Sequence, residues 1–338
     1  MNKRTRIIIG AALAVVALVL VIGGYYFFHV GTDTPDYAIK KVAQSVENHD
    51  VKEFHRVVNI DSVLDSGYDA FVESIAAPDT KMLPEVKETI KNFTQTLRAP
   101  MLISLKSSLD SYIETGEFNR ENNVGVVELL EQTGLNDVEI RNVKNIEISD
   151  ADRNEAFADL IIYQPELDRE FPIQILLKRV NDNQWQVTRV QNFQEYVTQI
   201  IKARRTQLEV YLKEAAEINT KYDTTLRESE QKYDTILSLG NIGQDKTRAE
   251  LKSLIDDHFK PNWQQRKQEL FSLHVPKDAE TLHNLYLKIC DTAISASEDY
   301  SQWLDDKNSL KIKSAEDKIH QIKSMMDEAS ALAGRMIN

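Results

Sequence analysis

AFADLIIYQPELDREFPIQILLKRVNDNQWQVTRVQ, residues 156–191, decides how the chain is read. Ala156–Tyr163, Phe171–Val180 and Gln184–Gln191 are short β-rich runs, and Asn181-Asp182-Asn183 between the last two is turn chemistry. In the last run Trp185 and Val187 alternate with Gln184, Gln186 and Thr188, the period of a half-buried strand. Upstream, Val138, Ile140, Ile146 and Ile148 predict another strand with a bend or bulge. Strands so close in sequence, joined by short turns, predict an antiparallel meander.

The chain before the strands has helical periodicity. Thr34-Pro35 is a cap followed by a proline at the first helical position, and Ile39, Val42, Ala43 and Val46 follow on one stripe. Asn48-His49-Asp50 breaks that helix, and Asp50 caps a short second one carrying Phe54, Val57 and Val58. A third spans about Asp61–Ile75. A fourth runs from about Pro84 to Ile113, where Pro100 should kink or divide it. Beyond Phe193 the pattern is almost wholly helical. It breaks at Gly240-Asn241-Ile242-Gly243, at Val275-Pro276 and at Asp305–Ser309, with a further kink expected at Pro261. Four long helices with short turns predict an up-down bundle.

Residues 34–64, TPDYAIKKVAQSVENHDVKEFHRVVNIDSVL, resemble the start of a bacterial family of membrane-anchored proteins of unassigned activity. NDNQWQVTRVQNF, residues 181–193, is similar to the final strand of the cone-shaped fold of ketosteroid isomerases and nuclear transport factors. The resemblance covers about residues 35–195. It implies a cystatin-like cone of helices and a curved antiparallel sheet. No isomerase catalytic motif matches position by position, so no catalytic residue is carried over.

Ile7–Phe28 holds no charge and is long enough, at about 1.5 Å per residue, to cross a hydrocarbon core. Lys3, Arg4 and Arg6 precede it and no Lys or Arg follows before Lys40, which places the N-terminus in the cytoplasm by the positive-inside rule. The expected fold class is therefore α+β with a transmembrane helix. A cytoplasmic tail (1–6) leads to a single-pass signal-anchor in the lipid bilayer (7–28). An extracytoplasmic cone-like domain (31–192) and an antiparallel four-helix bundle (193–338) follow. The expected location is the cell membrane of a bacterial envelope.

With 53 acidic against 41 basic residues the chain carries a formal net charge of −12, which disfavours nucleic acid as a partner. The one cysteine, Cys290, makes neither an intrachain disulfide nor a zinc cluster. Asp159, between Phe157 and Ile161, and Arg189, read as sharing a face with Trp185 and Val187, are the candidate ligand-pocket residues together with Trp185. The competing reading makes the polar pair a solvated face or a structural ion pair. His49, Asp50, Glu53 and His55 cluster in sequence, but the two histidines fall on different helical faces, so no metal site is assigned. His283 and Cys290 lie two turns apart, too far for a Cys–His nucleophile. Tyr222, Tyr233, Trp263, Tyr286, Tyr300 and Trp303 supply aromatics to the bundle, as core or as a partner surface. No cofactor is assigned. The expected function is a membrane-tethered binding or scaffold protein with a protein partner at the bundle. The alternatives are an enzyme using Asp159 in the cone, or an accessory subunit of a transport or secretion complex.

Overall fold

The computed structural model describes residues 34–75, 84–116, 138–181 and 184–337. The chain divides into two units, the first ending at Ala203 and the second being Arg204–Asn338.

In the first unit, Thr34 caps α1 (Pro35–Glu47): its Oγ1 accepts from the Tyr37 amide, and Pro35 occupies the first turn. The buried stripe Ala38, Ile39, Val42, Val46 is the one its spacing predicts. Asp50 caps α2 (Val51–Val57) by accepting from the Glu53 amide at 2.9 Å. α3 (Ile60–Ile75) and α4 (Pro84–Thr115) follow. α4 runs through Pro100 as one helix. Pro100 is exposed, and Leu109, Tyr112 and Ile113 beyond it are buried, so packing of the second half holds the helix together.

The sheet consists of β1 (Glu139–Ile148), β2 (Glu155–Gln164), β3 (Arg169–Asn181) and β4 (Gln184–Val190), in the order β1-β2-β3-β4 with every neighbour antiparallel. On β2 the alternation is strict: Ala156, Ala158, Leu160 and Ile162 are buried against the helices while Phe157, Asp159, Ile161 and Tyr163 point to the other face. That inner face shares one core with Ile39, Phe54, Ile113 and Phe171. Phe193, Tyr196, Val197 and Ile200 of α5 (Phe193–Leu239) belong to it too. The free edge of β4 is covered by the α2–α3 junction, where the Asn59 amide donates to Val187 O at 2.8 Å and Gln186 Nε2 donates to Arg56 O at 2.8 Å.

Two expectations need correction. The predicted bundle boundary at residue 193 falls instead after Ala203, because the first turns of α5 are core of the sheet unit. The expected transmembrane element is not part of the observed fold. Among the described residues no helix is long and apolar enough to cross a membrane, because each long helix carries a charged face whose burial in hydrocarbon is expensive. Residues 7–28, on which the single-pass signal-anchor and bilayer readings rest, lie outside the described residues. Among the described residues the fold class is corrected to α+β, one four-stranded antiparallel sheet among helices.

The second unit comprises the rest of α5, α6 (Asp245–Leu254), a π turn (Ile255–Phe259), α7 (Lys260–Phe271), α8 (Glu280–Asp306) and α9 (Ser309–Ile337). Cross-helix pairs give the directions. Lys260–Glu298 and Lys267–Asp291 make α7 and α8 antiparallel; Lys221–Glu269 and Asp223–Arg266 do the same for α5 and α7. Tyr211 with His283 and Tyr233 with Tyr300 make α5 and α8 parallel. Ser295 and Asp299 both reach Lys318, which turns α9 back along α8. The result is up-down-up-down around Leu270, Leu282, Ile289 and Cys290. The kink expected at Pro261 takes the form of the π turn. Pro261 has no N–H for the carbonyl four residues back, and just before it the Lys260 amide reaches Ile255 O, five back.

Candidate functional site

The most unusual chemistry among the described residues is at the start of α6. Arg248 is only 8 % exposed. Its Nη2 donates to Asp245, while Nε and Nη1 are buried and meet no acceptor among the described residues. A buried charged donor left unpaired costs at least about 1–3 kcal/mol, so such a group calls for an explanation. The packing beside it is close. Gly240 closes α5 so tightly on α6 that a Cβ there would stand 2.5 Å from Thr247 Oγ1, and Leu304 of α8 is buried in the neighbouring core cluster.

Arg248 lines an open groove of about 450 Å³ between α6 and the end of α8, with Lys252, Asp256, Asp257 and Asp305. Lys252 Nζ donates to Asp256 at 2.7 Å and to Ser301 Oγ at 2.9 Å, and lies 4.0 Å from Asp305. The hydrogen bond to Asp256 raises the Lys252 pKa. Burial works against the Asp256 carboxylate, yet its bonds with Lys252 and Ser301 hold it below the usual carboxylate range. Across α6 a second groove, about 720 Å³, lies against α5 and is lined in part by Glu228, Lys232, Glu250 and His258. Ser253 borders both grooves and donates to Asp257 at 2.6 Å. Carboxylates outnumber cations in each groove. The π turn forms part of both walls, and such turns recur at functional sites.

The chain matches no family model, no curated protein and no solved structure.

The sequence-predicted residues lie elsewhere and do not converge. Asp159 is on the β2 face opposite the core, where its Oδ1 accepts from Gln174 Nε2 at 2.8 Å. Trp185 is 2 % exposed in the core, with the Arg179 guanidinium 4.9 Å over its ring. Arg189 does not share a face with Trp185 and Val187. Val187 pairs with Leu177 and Arg189 with Leu176, so Thr188 is an extra residue that shifts the alternation. Arg189 is thereby exposed on the Asp159 face, but a strand lies between them, about 10 Å at the usual strand spacing.

The histidine cluster is dispersed. His49 Nδ1 bonds the Ile113 carbonyl at 2.8 Å, His55 Nε2 meets Asp110 at 2.7 Å, Asp50 is a cap, and Glu53 pairs with Arg56. Among the described residues no three His, Cys, Asp or Glu are arranged to hold a metal. Cys290 is 1 % exposed and burial pushes its thiol up to about 11. Burial lowers the His283 pKa, and its ring faces Tyr211 Oη at 3.4 Å. Tyr222 and Trp263 are core, and Tyr233, Tyr300 and Trp303 pack around Leu251 and Leu304.

Sequence reasoning missed Arg248, Lys252 and Asp257. The available signals were the Gly240–Gly243 break and Pro261, which bracket the segment; nothing local marks Arg248 as buried. Replacing Arg248 by methionine keeps the aliphatic packing and removes the unpaired donors. The variant is expected to be more stable by about 1–3 kcal/mol in urea denaturation. A loss of stability would show that Nε and Nη1 find acceptors in solution.

Proposed function

We propose that this protein works by binding another protein through the α6 face of its helical unit, as an adaptor or scaffold. The observation that carries this reading is the pair of open grooves that flank α6, in each of which carboxylates outnumber cations. A protein surface that carries lysine or arginine is drawn to such a face by the surplus carboxylate. Asp159, held by Gln174 on the outer face of the sheet, is given no part in this reading. The cone-like character of residues 35–195 stays a proposal resting on the quoted sequence resemblance.

The test is photo-crosslinking in the cell, with the crosslinking amino acid placed in turn at Ser253, His258 and Lys178. The first two are exposed beside the grooves and the third is exposed on the sheet. Discrete adducts from Ser253 and His258, with none from Lys178, are expected. Adducts from Lys178 alone, or from no position, would overturn the assignment.

A further inference from the structure

We infer that His283 is an acid-sensitive latch, holding the start of α8 to α5 while its ring is neutral and releasing it when the ring takes a proton. The residue is 8 % exposed, and its hydrogen-bonding neighbour among the described residues is Tyr211 of α5, itself fully buried. Nδ1 lies 3.4 Å from Tyr211 Oη, and the two rings meet edge to face with centroids 6.0 Å apart. A neutral imidazole fits this contact. An imidazolium there would lose hydration against a phenol that carries no charge, and a buried ion without a counter-ion forces the structure open.

No element packed around the ring supplies that counter-ion among the described residues. On α5, Lys213 and Glu214 beside Tyr211 are exposed. On α7 the buried charge is Arg266, itself a cation, and its acceptors are Asn219 and Asp223. His274, Lys277 and Asp278 in the turn into α8 are exposed, as are Glu280 on α8 and Arg335 near the end of α9. Tyr286 and Cys290, on the same side of α8, are kept protonated by burial. His55 in the first unit is the contrast: Asp110 stands 2.7 Å from its Nε2.

The far end of the α8–α9 hairpin is not released by the same acid. There Asp299 accepts from Lys311, Ser314 and Lys318, and its carboxyl is held well below the usual carboxylate range, so that clamp stays charged while His283 titrates. Acid therefore frees one end of α8. Burial lowers the His283 pKa from an unfolded value of about 6.5, so the closed form has its full stability above that pH. As pH falls further, the opened form binds a proton that the closed form refuses. The equilibrium then shifts toward the open form by up to about tenfold per pH unit, until the folded pKa is reached.

Cys290, the one cysteine of the chain, is 1 % exposed and two turns along α8 from His283, so its labelling reports the opening. The full chain is labelled with 4,4′-dithiodipyridine, a disulfide that reacts with thiols in acid, from about pH 8 to about pH 5. At each pH the rate is divided by that of His283→Gln, which keeps a hydrogen-bonding side chain and does not titrate, so the intrinsic reactivity of the thiol cancels. The ratio should be flat above about pH 7.5 and rise about fivefold between about pH 6.5 and about pH 5.5. His283→Phe, which keeps a ring against Tyr211, should give the same result as divisor and carries the comparison if the glutamine variant fails to fold. Labelling in acid should also depend on urea less steeply than global unfolding does. A ratio that stays constant as pH falls would overturn the latch, and a urea dependence equal to that of global unfolding would overturn release at one end.

Discussion

Trp185→Ala is expected to lower the stability of the sheet unit by about 3–5 kcal/mol, the range for losing a large aromatic from a packed core. Trp185 is 2 % exposed and belongs to the core cluster that joins the sheet to α1–α5. Its register partner on β3 is Arg179, whose guanidinium stacks on the ring, so truncation opens a cavity and also strips a cation of its aromatic seat. β4 lies at the sheet edge, and its hold on α2 runs through neighbours of Trp185: Gln184 and Gln186 both donate to Arg56 O. Urea denaturation followed by far-ultraviolet circular dichroism measures the loss. A change below about 1 kcal/mol would mean that this site collapses without a cavity.

Asp299→Ala is expected to destabilise the helical unit by about 2–4 kcal/mol. Asp299 on α8 is 7 % exposed and accepts from Lys311 at 2.9 Å, Ser314 at 2.6 Å and Lys318, all on α9. Removing one partner of a buried ion pair costs about 3–5 kcal/mol; the lower figure here reflects lysines that keep part of their hydration. The side chains of Lys311 and Lys318 are 37 % and 26 % exposed. The hydrogen bond from Lys318 first, with Ser314 and Lys311, holds the carboxyl well below the usual carboxylate range. A carboxylate whose folded pKa is depressed contributes stability that is full above its unfolded value, about 3.9, and is lost as pH falls through the folded one. The difference between wild type and Asp299→Ala should therefore be constant near neutrality and shrink below about pH 4. A gap that stays unchanged into acid would contradict the assigned network.

The parts of the fold that were legible in the sequence are those written in periodicity. Strict alternation from Ala156 to Tyr163 and the stripe from Ile39 to Val46 each have one buried face, and a one-residue slip would expose it, so pattern and structure agree. Arg189 was misplaced because a bulge changes the period without changing the composition; Thr188 fits an unbroken strand equally well. The unit boundary after Ala203 was hidden because α5 has no break there. What changes along it is which core its apolar stripe joins. Arg248 was illegible for a third reason. In the sequence it is one polar residue in a first helical turn; the fold sets it in a groove wall with Leu304 and Asp305, more than fifty residues on, which no local pattern records.

The central claim is that function resides on the α6 face and not at Asp159. Complementation of a deletion strain by two full-length variants, each shown to melt as cooperatively as wild type, tests it most directly. The first carries Asp257→Arg and Asp305→Arg, reversing two exposed carboxylates of the groove; the second carries Asp159→Asn. The account predicts that the charge-reversed variant fails to complement while Asp159→Asn restores the wild-type phenotype. Full activity of the charge-reversed variant together with a null, well-folded Asp159→Asn protein would contradict it and return the functional site to the sheet.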